Sequence, residues 1–254
     1  MRSFFFAFLG LFFGSFSNVY FYRIPQDLSC FKPRSFCPQC RSPILWFDNV
    51  PVLSFLVLRG KCRSCHSAIS LRYPLNEILC GLLFFLVAHQ FKDAPLGGLV
   101  SFLFFFFLLY LIGGIDLVTY LNLKRQYGII PDPLVILLAV GGLVHIPFNP
   151  YLQGSFWFGI SSALGTGSLL LLFRYLSGKI KGREALGMGD VKMLSAMALW
   201  LGWKGVLWTV ACGSLVGSVT GLFLIFTKKI DWQSGVPYGP FLALGSLSTL
   251  LLLP

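Results

Sequence analysis

The sequence predicts an all-α polytopic membrane protein of about eight transmembrane helices, with one polar, cysteine-rich loop between the first and second. Three observations predict it. Mean hydropathy is +0.78, 56% of the 254 residues are hydrophobic and only 11% are charged, where soluble domains carry about a quarter. Phenylalanine occurs 27 times and clusters in runs such as Phe102 to Leu109, a surface that water does not tolerate. Apolar runs recur at lengths of roughly 17 to 25 residues, enough to cross a bilayer as helices.

In chain order the spans fall near 4–22, 75–91, 99–115, 133–148, 154–173, 191–203, 205–227 and 236–253. The first carries Arg2 as a thin basic region but ends in no small-x-small cleavage site, so it reads as a retained helix and not a signal peptide. Gly141 and Gly142 read as a break in the fourth, and the sixth is short and bears Lys192. Gly10 and Gly14, and Gly213, Gly217 and Gly221, recur at helical spacing and let helices approach closely in lipid. No repeat supports an inverted-repeat transporter. The domain reading is 1–22 as the first helix, 23–74 as the loop, and 75–254 as the polytopic part.

Placing the N-terminus outside puts 17 of the 20 Lys and Arg residues on the inner side, with Arg2, Lys92 and Lys204 outside. That asymmetry orients a multi-pass protein with loop 23–74 cytoplasmic. It also accounts for the formal charge of +11, which is spread over several loops, so no nucleic-acid partner is expected.

Cys37-Pro-Gln-Cys40 and Cys62-Arg-Ser-Cys65 are two C-x-x-C knuckles with the separation of a four-thiolate zinc ribbon. Four thiolates close a tetrahedron and leave no position for a catalytic water, so the zinc is expected to be structural. A disulfide or redox pair is disfavoured in a reducing cytoplasm without a βαβ context. Cys30 and His66 flank the knuckles as spare ligands. Cys80 and Cys212 lie within spans and read as apolar packing.

Acidic groups at the rim of a span need a reason, and Asp116, Asp190, Asp132 and Glu77 are the ones there. Asp190 follows Gly187-Met188-Gly189 at the start of the sixth span, which fits helix capping and catalysis equally. Asp116 follows Gly113-Gly114 at the end of an apolar run, as a polar stop or as the partner of Asp190. Two carboxyl groups from different helices can share one proton, one activating water while the other polarises a carbonyl. Other protease chemistries are poorly served: there is no H-E-x-x-H, and His66, His89 and His145 are scattered.

Gly14-Ser15-Phe16-Ser17-Asn18-Val19, Arg23-Ile24-Pro25, the two knuckles, Asp48-Asn49-Val50-Pro51, Leu58-Arg59-Gly60-Lys61, Arg72-Tyr73-Pro74 through Glu77, Ile115-Asp116 and Gly187-Met188-Gly189-Asp190 together resemble the bacterial prepilin peptidases, also called type IV leader peptidases. The last segment is similar to the G-x-G-D signature of intramembrane aspartyl proteases. The resemblance implies Asp116 and Asp190 as the catalytic pair, supported by Gly187 and Gly189. It implies removal of the basic leader from type IV prepilins and type II secretion pseudopilins at the cytoplasmic face of the bacterial inner membrane. It further implies methylation of the new N-terminus with S-adenosylmethionine as donor, for which Glu77 and the zinc loop are the candidates. One departure stands out: Asp116 and Asp132 are sixteen residues apart, wider than is usual in the family. An insertion around Leu121 to Gln126 accounts for this, and otherwise Asp132 takes the first role. The alternative reading is a non-enzymatic scaffold or transporter with a structural zinc loop, whose acids cap helices or carry protons.

Overall fold

The computed structural model describes residues 1–30, 32, 34–123, 128–152, 155–181, 186–228, 230 and 235–252. The proposed insertion at 121–126 therefore lies largely outside the described residues, as do Glu184 and Asp231. Among those described, the only non-helical pairing is two isolated β-bridges. The chain divides into two compact units, Met1–Ala94 and Pro95–Pro254.

In the first unit α1 (Arg2–Arg23) packs along α3 (Arg72–Gln90), so the second predicted span groups with the first. Glycine allows that approach. A methyl group at Gly10 would lie 2.8 Å from the Cys80 carbonyl oxygen, and one at Gly14 only 2.6 Å from Glu77 Cα. The Asn76 side-chain amide donates to the Gly14 carbonyl at 2.9 Å and to Ser17 Oγ at 2.6 Å, locking the pair. Because the obstacle at Gly14 is backbone, Gly14→Leu is expected to cost about 3 kcal/mol or more and to lower the thermal unfolding midpoint in detergent. An unchanged midpoint would show that this contact does not hold the helices together.

Between α1 and α3 the chain makes 3-10 turns at Ile24–Gln26 and Trp46–Asn49 and one short helix, α2 (Leu53–Val57). Arg23, buried at the end of α1, donates to the Ser29 carbonyl at 2.9 Å and turns the chain back on itself.

The second unit holds α4 (Leu96–Leu123), α5 (Asp132–His145), α6 (Phe156–Lys181), α7 (Met188–Phe226) and α8 (Gly239–Leu252). Helices α1, α4, α6 and α7 are long and apolar enough to cross a membrane, while α5 and α8 are shorter apolar helices. Helix α4 is the most enclosed, with Phe105, Ile112 and Ile115 fully buried, and it packs on α5 and α8. Helix α7 packs on α5, α6 and α8. Leu164, Leu169, Leu172 and Phe173 on α6 stay exposed, as lipid-facing side chains do.

One break read from the sequence is absent and another is present. Gly141 and Gly142 do not break α5, which runs unbroken to His145. Glycine costs a helix about 1 kcal/mol, and here the two make room for Trp200, whose ring lies 3.0 and 2.9 Å from where their Cβ atoms would be. A break does fall at Gly202, within two residues of the boundary read between spans 191–203 and 205–227: its φ of 64° and ψ of 175° divide α7 into two apolar segments, a conformation cheap only for glycine. Beside it Trp200 is buried, donating through Nε1 to the Leu138 carbonyl at 2.8 Å, with the His145 ring stacked at 5.1 Å. His145 is thus a packed side chain.

Candidate aspartate site and metal centre

Each knuckle is a tight turn closed by backbone bonds. The Cys37 N–H donates to Ser42 O and the Arg41 N–H to Cys37 O; the Cys62 N–H donates to Ser67 O and the His66 N–H to Cys62 O, all at 2.8–3.0 Å. Arg41 and His66 both take positive φ, 58° and 56°. Ile44 and Ile69 close the two turns by donating to Ser35 O and Gly60 O. The two halves are a short repeat, C-x-x-C-x-S-x-I, that the sequence reading passed over because only its cysteines were counted. His66, a turn residue here, and Cys30 are outside the metal cluster among the described residues.

The four sulfurs of Cys37, Cys40, Cys62 and Cys65 lie within 4.8 Å of one another, and Cys37 and Cys65 are 3.9 Å apart. A tetrahedron with Zn–S bonds of about 2.3 Å has edges of about 3.8 Å, so the set fits zinc with a small contraction. The Cys40 backbone N–H bonded to Cys37 holds that thiol down at about 6, which suits a thiolate ligand. Ser42 Oγ lies 2.9 Å from Cys40 Sγ and Ser67 Oγ 3.0 Å from Cys65 Sγ. The second knuckle is tied to the Trp46–Asn49 turn by Arg63, which donates to both Asp48 oxygens at 2.6 and 2.8 Å and keeps that carboxyl below its ordinary range.

In the second unit, Asp116 does not end its helix. Helix α4 continues to Leu123, so Asp116 sits about two turns before the end and is 4% exposed. Its Oδ2 accepts the Gly239 N–H at 2.9 Å, one of the donors that the start of α8 leaves without an intrahelical partner. Asp190 is not an N-cap. Gly187 holds that position without a side-chain bond, and Asp190 is the third residue of α7, reaching back to the Gly187 backbone as the third residue of a capping box does. Asp190 is partly exposed and close enough to Asp116 for their charges to repel.

Backbone lines this pair. A Cβ at Gly239 would lie 2.8 Å from Asp116 Oδ2, one at Gly187 would lie 2.9 Å from Asp190 Oδ2, and one at Gly128 would collide with Asp116 Oδ1. A Cβ at Gly189 would lie 2.9 Å from Ile130 Cβ, so the 128–131 segment passes both aspartate helices. Tyr238, whose hydroxyl lies 2.7 Å from Ser214 Oγ, is near enough to Asp190 to feel its charge. Gly128, Tyr238 and Gly239 were missed from sequence; the signal was the run Pro237-Tyr238-Gly239-Pro240, which opens a helix with a glycine where any residue would otherwise serve. Asp132 is exposed and paired with Lys192 at 2.8 Å. Glu77 belongs to the first unit, buried on α3, where it accepts the Val52 N–H at 2.7 Å.

Two family models match the chain: the bacterial peptidase A24 N-terminal domain over residues 8–91 and the type IV leader peptidase family over 117–222. Among relatives named prepilin leader peptidase/N-methyltransferase, that of Stutzerimonas stutzeri is 32% identical over 96% of this chain and 88% of its own length. Those of Klebsiella pneumoniae (40% identical, 81% and 87%) and Neisseria gonorrhoeae (35%, 90% and 84%) match similarly. No solved structure matches. The knuckles, the glycine-lined aspartates and these matches agree: the chain belongs to the type IV leader peptidase family.

Proposed function

We propose that this chain cleaves the leader peptide from type IV prepilins and type II secretion pseudopilins, with Asp116 and Asp190 as the carboxyl pair, and N-methylates the new N-terminus. The observation that carries the peptidase is the pair itself: two carboxyl groups from different helices, at interacting distance, with backbone in place of side chains around them. One carboxyl group, ionised, takes a proton from water as it attacks the scissile carbonyl, while the other donates a hydrogen bond to the carbonyl oxygen. The leaving amine then collects a proton from the pair. Asp190, the more exposed of the two, is the one water reaches.

The Lys and Arg distribution supports a multi-pass protein of the inner membrane with its N-terminus outside and loop 23–74 cytoplasmic, the side on which a basic leader is retained. Zinc in that loop is structural. S-adenosylmethionine, when bound, supplies the methyl group: the free amine forms the C–N bond, the C–S pair stays on sulfur, and the surplus proton leaves the nitrogen for solvent. The relatives' names and the paired carboxyl groups weigh against a scaffold or transporter.

The test is incubation of the detergent-purified chain with a type IV prepilin and S-adenosylmethionine, read by mass spectrometry. A product without its leader and heavier by one methyl is expected. No cleavage would overturn the proposal, and cleavage without the methyl would remove its second half. Gly239→Val, which pushes a side chain into Asp116, is expected to slow cleavage about 10²-fold or more in initial-rate assays. A rate near that of the wild type would mean the Gly239 contact does not position the pair.

A further inference from the structure

Helix α2, Leu53-Ser54-Phe55-Leu56-Val57, has one polar side chain, and Ser54 spends its hydroxyl on the Val50 carbonyl at 2.7 Å. Phe55, and Leu58 just after the helix, face inward on the wall of a cavity of about 420 Å³ that Tyr73 and Glu77 also line. Leu53, Leu56 and Val57 face outward, 58%, 63% and 76% exposed. A helix that is apolar all round is normally covered all round, yet no described residue covers this side. The Trp46–Asn49 turn packs beside α2 and adds Trp46, 75% exposed, with the Phe47 ring edge-on to it at 5.6 Å.

The depth of α2 identifies the cover. The Val52 N–H, at the start of α2, donates to Glu77 Oε2 at 2.7 Å. Glu77 is the sixth residue of α3, about 7 Å along the axis from the first, and α3 lies along α1, a helix long and apolar enough to cross a membrane. Leu75, Ile78, Leu79 and Leu82 of α3 are exposed around that level, as lipid-facing side chains are. The polar region of one leaflet is only about 5–7 Å deep, so α2 begins among headgroups and outer hydrocarbon and not in open cytoplasm. Arg59 and Lys61, exposed directly after the helix, carry the charge that anionic headgroups attract. Tryptophan favours the same boundary, because its ring is apolar and its N–H polar.

We propose that α2 and Trp46 form an interfacial anchor: their exposed apolar surface seats in the cytoplasmic leaflet of the chain's own membrane, with Arg59 and Lys61 among anionic headgroups. The anchor continues the lipid-facing surface of α3 and holds the cysteine knuckles against the bilayer. It rests on the reading of the chain as a multi-pass membrane protein.

The test uses the full-length, zinc-loaded chain in nanodiscs of phosphatidylcholine and phosphatidylglycerol, and takes the emission of Trp46 as the difference between wild type and Trp46→Phe. Lipid brominated high on its acyl chains is expected to quench most of that emission, and aqueous acrylamide little of it. Emission quenched by acrylamide and not by bromolipid would place the face in water and overturn the anchor. Emission reached by neither would mean that protein covers it, from this chain or a second copy, and would overturn it equally. Acrylamide quenching that disappears when a type IV prepilin is added would make the face a substrate dock instead. Leu56→Asp combined with Val57→Asp should move Trp46 from bromolipid to acrylamide with zinc retained, and unchanged quenching would overturn the role of α2. If that variant loses its zinc, the comparison of wild type with Trp46→Phe decides alone. A chain that does not enter the discs would overturn the multi-pass reading and the anchor with it, whereas one that enters them with Trp46 in water overturns the anchor only.

Discussion

Asp190→Asn is expected to lower kcat/KM for prepilin cleavage by about 10³-fold or more, with zinc content and methyl-donor binding unchanged. Asparagine keeps the shape of the side chain but neither takes a proton from water nor passes one on, and positioned proton transfer contributes about 10²–10⁴ in rate. Asp116→Asn should fall as far, because the two groups act as one unit, and the double variant should be little worse than either single one. Asp132→Asn supplies the contrast. Its carboxylate is 60% exposed and tied to Lys192, and an exposed pair of that kind contributes about 0–1 kcal/mol, so cleavage should change by less than about fivefold. Initial rates on a single prepilin settle all three, and a dead Asp132→Asn beside an active Asp116→Asn would exchange their roles.

Chelation of the zinc is expected to unfold the segment between α1 and α3 while leaving the second unit intact. The reason is the scarcity of core. Between residues 24 and 71 only Cys37 and Pro51 are buried among the described residues, too little apolar surface to hold so small a module without a staple. Structural zinc in small peptides supplies about 10–16 kcal/mol of apparent binding energy at neutral pH, far more than the backbone bonds of two knuckles. Limited trypsinolysis should therefore cut at Arg34, Arg41, Lys61 and Arg63 within minutes of chelation, or in Cys62→Ser, with the 95–254 fragment surviving. Equal resistance before and after metal removal would show that the knuckles hold without zinc.

Much of the fold was legible because its signals are local. An apolar run announces a helix wherever it packs, and α4 and α6 begin within three residues of where the hydropathy placed them, though both run on past the apolar stretch. The knuckles were legible for the same reason, since metal-ligand spacing is a property of a single turn. Where a signal depended on a neighbour, the reading slipped. Gly141 and Gly142 look like helix breakers until Trp200 occupies the space they leave.

The sequence by itself determined that this is a helical membrane protein with a four-cysteine loop of metal-ligand spacing and a handful of acids at span boundaries. Tertiary structure alone decided which groups meet. It placed Asp116 inside α4 and against a helix start 123 residues away, set Asp190 in the first turn of α7 beside it, paired Asp132 with Lys192, and buried Glu77 at the wall of a cavity. The physical reason is range. Hydrophobic period and ligand spacing act over a few residues of chain, whereas a carboxylate's partners are chosen by helix packing, and no local pattern records which helices touch.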